Sequence, residues 1–546
     1  LRFTFTIRFF IIACLLLLGR DMQAQQQIVI NRSAPSGDSI RTIQIIQGRS
    51  LRQKQLDSLT LIETIAGNVI IKEGLTTFYC DSAVINRRTN IVEAFGNIHI
   101  NDNDSIHTYA QYLRYVGNER VAYLQKNVKL TDKKGVLLTD ELVYNLRTGI
   151  ATYKNGGKIT NEKTVLTSEE AQYIADTKDV YFKRNVHLKD PDRDIWTDSL
   201  LYNLNTGIAT FIAPTHIVGK DGSIIDTKSG TYNMKTGEAI FYDRTAYRDS
   251  TKSLIGNKMA FDKNSGTLQV EGNAKFVDSA NQVIVLGDQL FVDTRKDAFL
   301  ATRKPVMIIY RDGDSTYIAA DTLFSGLRKY DSLERKVITQ TDTLNRPLAI
   351  NANKSADTSI RYFMGFHHVR IFNDSLQAVS DSLHYSTSDS TFKLFGQPIV
   401  WNGNSQVTGD TLYMFTERQK PKRLYVFYNS IIINKTTDGL YNQIGGRTLN
   451  AYFKEGQIDY VRIKGTPAES VFYPQDDDSA YIGMNRTSGD LIDIYFVNKE
   501  LNKVKFINNV DGVLYPMQQT PDEQKTLKNF KWLEAKRPKN KLELFE

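Results

Sequence analysis

The sequence predicts an all-β, elongated protein built from a strand–turn–strand repeat of about 29 residues. Three observations predict it. One aromatic position recurs at Tyr115, Tyr144, Tyr173, Tyr202, Tyr232 and Phe261, in steps of 29 or 30 residues. Turn glycines recur in the same register at Gly149, Gly207, Gly237 and Gly266. The composition leans to sheet: 28 Tyr and 27 Phe stand against 12 Pro in 546 residues, and aromatic side chains suit a pleated, half-buried surface.

Each element of the repeat has a local cause. Asn127 to Leu130 alternates polar and apolar residues, the pattern of a half-buried strand. Asp132 to Gly135 is polar and ends in glycine, which marks a turn. Val136 to Tyr144 is a second strand, and at Arg147-Thr148-Gly149 the glycine supplies a positive φ. Ile150 to Tyr153 begins a third. A second marker, Asp before a hydroxyl residue, recurs at Asp81, Asp198, Asp321, Asp381 and Asp410 and predicts a turn or ladder-end cap. One unit cannot bury its apolar face alone, so stacked copies must share a core. A β-helix and a curved two-sheet roll both satisfy the repeat.

A helical period shows only over Leu51 to Ile65 and Gln524 to Leu533. Residues 327–362 break the repeat and predict a surface insertion or hinge. The expected organisation is a leader over 1–24, arrays over 25–326 and 363–516 on either side of the insertion, and a charged tail over 517–546.

Arg2 and Arg8 precede the apolar run Phe9 to Leu18, and Met22-Gln23-Ala24 offers a cleavage site. That is the layout of a secretory signal peptide, cleaved after Ala24. Ile11-Ile12-Ala13-Cys14 imitates a lipobox, but four leucines continue the run beyond the cysteine. Removing the leader takes three arginines and one aspartate, so the net charge falls from +8 to about +6. That charge is spread, without the basic stripe of a nucleic-acid binder. Only Cys80 remains, so no internal disulfide holds the fold, and no second apolar stretch reaches the ~20 residues of a membrane helix.

The chemistry-bearing residues do not assemble into a catalytic or metal-binding pattern. The seven histidines show no metal-ligand spacing, and His367-His368 is expected on opposite faces of a strand. Lys235-Thr236-Gly237 imitates a penicillin-binding motif but falls on the repeat turn. Asp102/Asp104, Asp312/Asp314 and Asp476-Asp477-Asp478 lack the spacing of a calcium loop. No metal, cofactor or catalytic residue is expected. A β-helical polysaccharide enzyme would need acidic or basic clusters in register. An adhesive repeat protein would need a surface-sorting domain.

Gly67-Asn68-Val69, Phe78 to Ala83, Gly96-Asn97-Ile98, Lys126-Asn127-Val128 and Gly272-Asn273-Ala274 together resemble the OstA-like domain of lipopolysaccharide-transport proteins, found in LptA and in the N-terminal part of LptD. The resemblance covers about residues 60–420. It implies a β-jellyroll with an open slot between two sheets that holds lipid acyl chains. It further implies residence in the periplasm, free or associated with the outer membrane, with lipopolysaccharide, other transport components and an outer-membrane barrel as partners. The chain is much longer than LptA and shows no C-terminal barrel like that of LptD. Strand alternation puts Val69/Ile71, Ile98/Ile100, Val128/Leu130 and Val186/Leu188 on one face, with Lys129 and His187 on the other. Those eight are the candidate inward-facing, lipid-binding residues. Exposed strand edges at the ends of the array invite edge-to-edge self-association.

Overall fold

A computed structural model describes residues 43–311, 314–329, 359–417, 420–455, 457–478, 480–497 and 500–545. The leader over 1–24 lies outside the described residues, as does the centre of the 327–362 insertion. Forty strands are described, from β1 (Gln44–Gln47) to β40 (Asp511–Tyr515).

The Gly-Asn motif turns out to be the corner of the fold. β3 (Thr60–Glu73) pairs antiparallel with β4 (Thr76–Asn86), and the register slips between Ala66 and Val69. Gly67 and Asn68, at the slip, are both left-handed, with φ of 86° and 51°. The same pair of left-handed residues recurs at Gly96-Asn97, Lys126-Asn127, Arg184-Asn185 and Gly272-Asn273. Such bulges bend a strand sharply. Each long strand therefore contributes one half to a first wall and the other half to a second. Val69 to Glu73 belongs to the second wall and Ile62 to Ala66 to the first.

Hairpins join the strands at both open ends of this V. In the first wall, Asn145 accepts the N–H groups of Arg147 and Thr148 at 3.0 and 3.1 Å, and Asn203 and Asn233 cap their turns in the same way. The Thr-Gly motif, Lys235-Thr236-Gly237 included, is thus an Asx turn closed by a glycine with positive φ. The hairpin connections make the strands antiparallel, which excludes the parallel coils of a β-helix and selects the two-sheet roll.

The inner faces of the walls meet in one core. Phe78 of the second wall packs on Tyr115 of the first at 5.0 Å, and far along the axis Phe276 packs on Phe299 at 5.6 Å. Pairing continues past the insertion: β28 (Thr322–Lys329) and β29 (Ser359–Phe372) are partners through Lys329 and Ser359.

Several local expectations are corrected. Leu51 to Ile65 forms no helix. It is β2 (Ser50–Asp57) and the start of β3, because Asp57 Oδ1 accepts the N–H groups of Leu59 and Thr60, both at 2.8 Å, and turns the chain. Gln524 to Leu533 contains no α-helix either. His367 and His368 do not alternate across a strand. They are the two left-handed corner residues, and they bond Asp381 and Asp321 at 3.1 and 2.9 Å. The recurrent Asp is likewise a corner residue rather than a turn cap: Asp81 binds Asn97 at 2.9 Å and Asp410 binds Asn429 at 3.1 Å.

Candidate functional site

The space between the walls is the candidate site. All eight sequence candidates line its second-wall side. Cross-strand pairing threads Ile71, Phe78, Ile100, Thr108 and Leu130 into one row, which continues to Leu188. Val69, Ile98, Val128 and Val186 lie nearer the corner. None of the eight exceeds 4% exposure. Over this stretch the slot is filled by its own side chains.

The mouth of the slot is bridged there as well. The repeating aromatic position reaches from the first wall to a polar residue at the hairpin end of the second. Tyr115 donates to Glu73, Tyr144 to Asp102 at 2.9 Å, and Tyr173 to Asp132, which also takes the Lys178 ammonium at 2.8 Å. Asn161 then reaches the Leu204 carbonyl at 3.4 Å, Arg193 lies 4.8 Å over the Tyr232 ring, and Lys252 pairs with Asp297. Burial first, and then the acceptor carboxylate, pushes the Tyr115 and Tyr173 hydroxyls far above the usual phenol range. Burial alone would raise Asp132. The hydrogen bonds from Lys178 and Tyr173 outweigh it, so the carboxyl sits below its ordinary value. These phenols stay protonated donors and Asp132 stays charged, which makes the Tyr173–Asp132 bridge a charge-assisted bond in a buried place.

The C-terminal half of the slot is different. Met414, Val407, Ile432, Ile444, Phe453 and Ile458 face inward but are only partly buried. Met414 stands there in the place of the repeating tyrosine and has no hydroxyl to reach across the mouth. The apolar interior is therefore accessible from solvent over this stretch. Sequence periodicity alone did not single out these residues, because inward-facing positions look alike whether the facing wall covers them or not.

The charged tail is packed, not free. Residues 516–545 run back along the outer face of the second wall as a strap with short 3-10 turns. Gln443 grips it at two points, donating to the Lys525 carbonyl and accepting from the Leu527 N–H, both at 2.8 Å. Gln406 repeats the grip six residues on, at the Lys531 carbonyl (2.7 Å) and the Leu533 N–H (2.8 Å). Arg537 donates to Gln377, and Leu544 packs against Val306 and Ala319. A signal for this was present: Ile399-Val400-Trp401 and Ile431-Ile432-Ile433 are unbroken apolar runs, the mark of strands covered on both faces.

Cys80 is buried, and burial pushes its thiol up to about 12, so it stays protonated at neutral pH. Among the described residues no group of three or more His, Cys, Asp or Glu is arranged to hold a metal ion. What the arrangement offers is an apolar trough, latched along one part and accessible along another.

Residues 43–198 and 184–255 match the family model of the OstA-like proteins. The second match begins at the corner pair Arg184-Asn185. No curated protein matches the chain.

Proposed function

We propose that the chain, whose residues 43–255 match the OstA-like family model, is a non-catalytic carrier that binds lipopolysaccharide by its acyl chains between the two walls. It acts in the periplasm, exported by a cleaved leader, and passes its cargo toward the outer membrane. The other components of that transport route, including an outer-membrane barrel, are its partners. One observation supports this above the rest: a continuous apolar interior whose C-terminal stretch, with Ile432, Ile444 and Met414, is reachable from outside. Each buried CH₂ contributes about 0.8 kcal/mol, so two or three methylene-rich chains bind without any reactive group.

On this reading the eight N-terminal candidates, Val69 to Leu188, line a stretch that cargo enters only when the tyrosine bridges part. The two arrays on either side of the insertion act as one track. A photoreactive side chain at Ile444 tests the proposal in cells, with Leu130 as the comparison. Ile444 should crosslink to lipopolysaccharide. Leu130 should do so weakly, and more strongly in the triple variant Tyr115→Phe, Tyr144→Phe, Tyr173→Phe. Crosslinks to protein alone at both positions would remove the carrier reading.

A further inference from the structure

The outer surface of the first wall, near the C-terminal end, holds a concave site of about 730 Å³ that the slot does not use. It is carried by β36 (Tyr441–Lys454), β37 (Gln457–Phe472), β38 (Met484–Val497) and β39 (Glu500–Ile507). Tyr452, Tyr460 and Tyr495 stand opposite one another on adjacent strands, with ring centroids 5.7 and 5.0 Å apart.

Beneath them lies a built polar anchor. Asp493, 2% exposed, accepts two bonds from the Arg462 guanidinium and one from the Tyr460 hydroxyl, all at 2.7 Å. This carboxylate is committed and holds Arg462 and Tyr460 in place. The other cations are not spent in this way. Lys503 pairs across the strands with Tyr495, and the Lys505 ammonium lies 5.8 Å over the same ring. Arg423 lies 5.6 Å over Tyr452 and bonds the neutral Asn450 at 2.9 Å. Among the described residues none of these three has a carboxylate within ion-pair distance. The site thus combines ring surface with three cations, Arg462, Lys503 and Lys505, set against two carboxylates, Asp493 beneath and Asp459 on the lining, which leaves it one positive charge in excess. Phosphate suits the two lysines, and the C–H face of a sugar suits the rings.

Its position adds a second argument. Phe453, Ile458 and Phe496 sit on the same strands but face the slot, where they are only partly buried. Phe496 and Val497 form the rim between the two spaces. An amphipathic ligand can lay chains inside and fold its head over that rim.

We propose that this cleft binds a phosphorylated saccharide, with the tyrosine row against the sugar and Lys503 and Lys505 on the phosphate. The saccharide is either the head of an acylated lipid or a free glycan phosphate. The first source rests on the carrier reading; the second does not.

The test is calorimetry on the full mature chain with four probes: a glucosamine disaccharide bisphosphate without acyl chains, the same disaccharide without phosphate, inorganic phosphate, and the acylated bisphosphate in micelles. The deacylated bisphosphate should bind at least about tenfold more tightly than either the neutral disaccharide or inorganic phosphate. Lys503→Glu, on an exposed side chain, should weaken it by about tenfold, as should Tyr495→Ala. Equal affinity for bisphosphate and inorganic phosphate, or indifference to both variants, overturns the site. If the acylated probe gains nothing over the deacylated one, the lipid source falls and the glycan source stands. Failure at the cleft with Ile444 still crosslinking to lipopolysaccharide would sink this inference and leave the carrier reading intact.

Discussion

At the scale of single residues, the corner and the mouth set the most specific requirements. Lys126 holds φ at 67° in the place where other units have glycine. A left-handed residue with a Cβ costs about 1–2 kcal/mol, and glycine gives back about half of that gain through its greater freedom when unfolded. Lys126→Gly should therefore raise stability by about 0.5–1 kcal/mol, and Lys126→Val should lower it. Urea denaturation reads both, and a stabilising valine would contradict the corner's geometry. At the mouth, Tyr144→Phe removes the bond to Asp102 while Thr76 still donates to that carboxylate at 2.8 Å. The expected loss is about 2 kcal/mol, that of a bond to a charged acceptor. Asp132 adds a pH dependence. Its folded value is depressed, so its contribution is complete above the unfolded value near pH 4 and is lost as pH falls through the lowered folded value. Lys178→Ala should cost stability at pH 7, and the gap to the parent protein should narrow at pH 3. A gap that is the same at both values would show that Lys178 acts by packing alone.

At the scale of elements, the strap carries the clearest expectation. Trp401, Ile433, Val471 and Met484 are each at 0% exposure although they lie on the outer face of the second wall. Deleting 517–546 would bare this surface, and the truncated chain should bind a hydrophobic dye and aggregate. The paired change Gln406→Ala, Gln443→Ala should leave the surface apolar but loosen the strap, seen as faster proteolysis within 517–546. A truncated chain that stays monomeric and dye-free would show that the strap covers nothing of consequence. The strap also marks where sequence reading gave out. The strands were legible because alternation follows from one covered face, as in Asn127 to Leu130. The Gly-Asn and Asn-x-Thr-Gly signals were legible because only a few residue types tolerate those backbones. What covers a second face is a long-range fact: Gln443 and Leu527 are 84 residues apart. The tyrosine ladder was visible as a period, but its partners sit 41 or 42 residues earlier, on strands whose placement requires the corner. The slot candidates were legible as inward-facing, and nothing in their pattern separates a latched stretch from an accessible one.

At the scale of the whole molecule, the two ends decide how copies meet. β2 pairs only with β3 and β39 only with β38 among the described strands, so each end of the first wall presents a free edge. Every residue of β2 is exposed. Unpaired edges invite a neighbouring strand, and charged side chains are the usual guard against it. Here the guards share a sign. Arg52 and Lys54 lie on the outer face of β2, and Lys503 and Lys505 lie on the outer face of β39. Head-to-tail stacking of two copies would bring these four cations side by side. The backbone bonds favour the stack and the charges oppose it, and salt screens only the charges, over about 8 Å at physiological ionic strength. Self-association should therefore strengthen as salt is raised from 0.02 to about 0.5 M, the reverse of an interface held by opposite charges. Arg52→Glu with Lys54→Glu should turn repulsion into attraction, giving longer stacks at low salt that shorten as salt is added. Sedimentation velocity on the mature protein and this variant measures both trends. Association of the parent chain that weakens with salt would mean that copies meet through some other surface, and that the free edges are kept for a partner with acidic flanks.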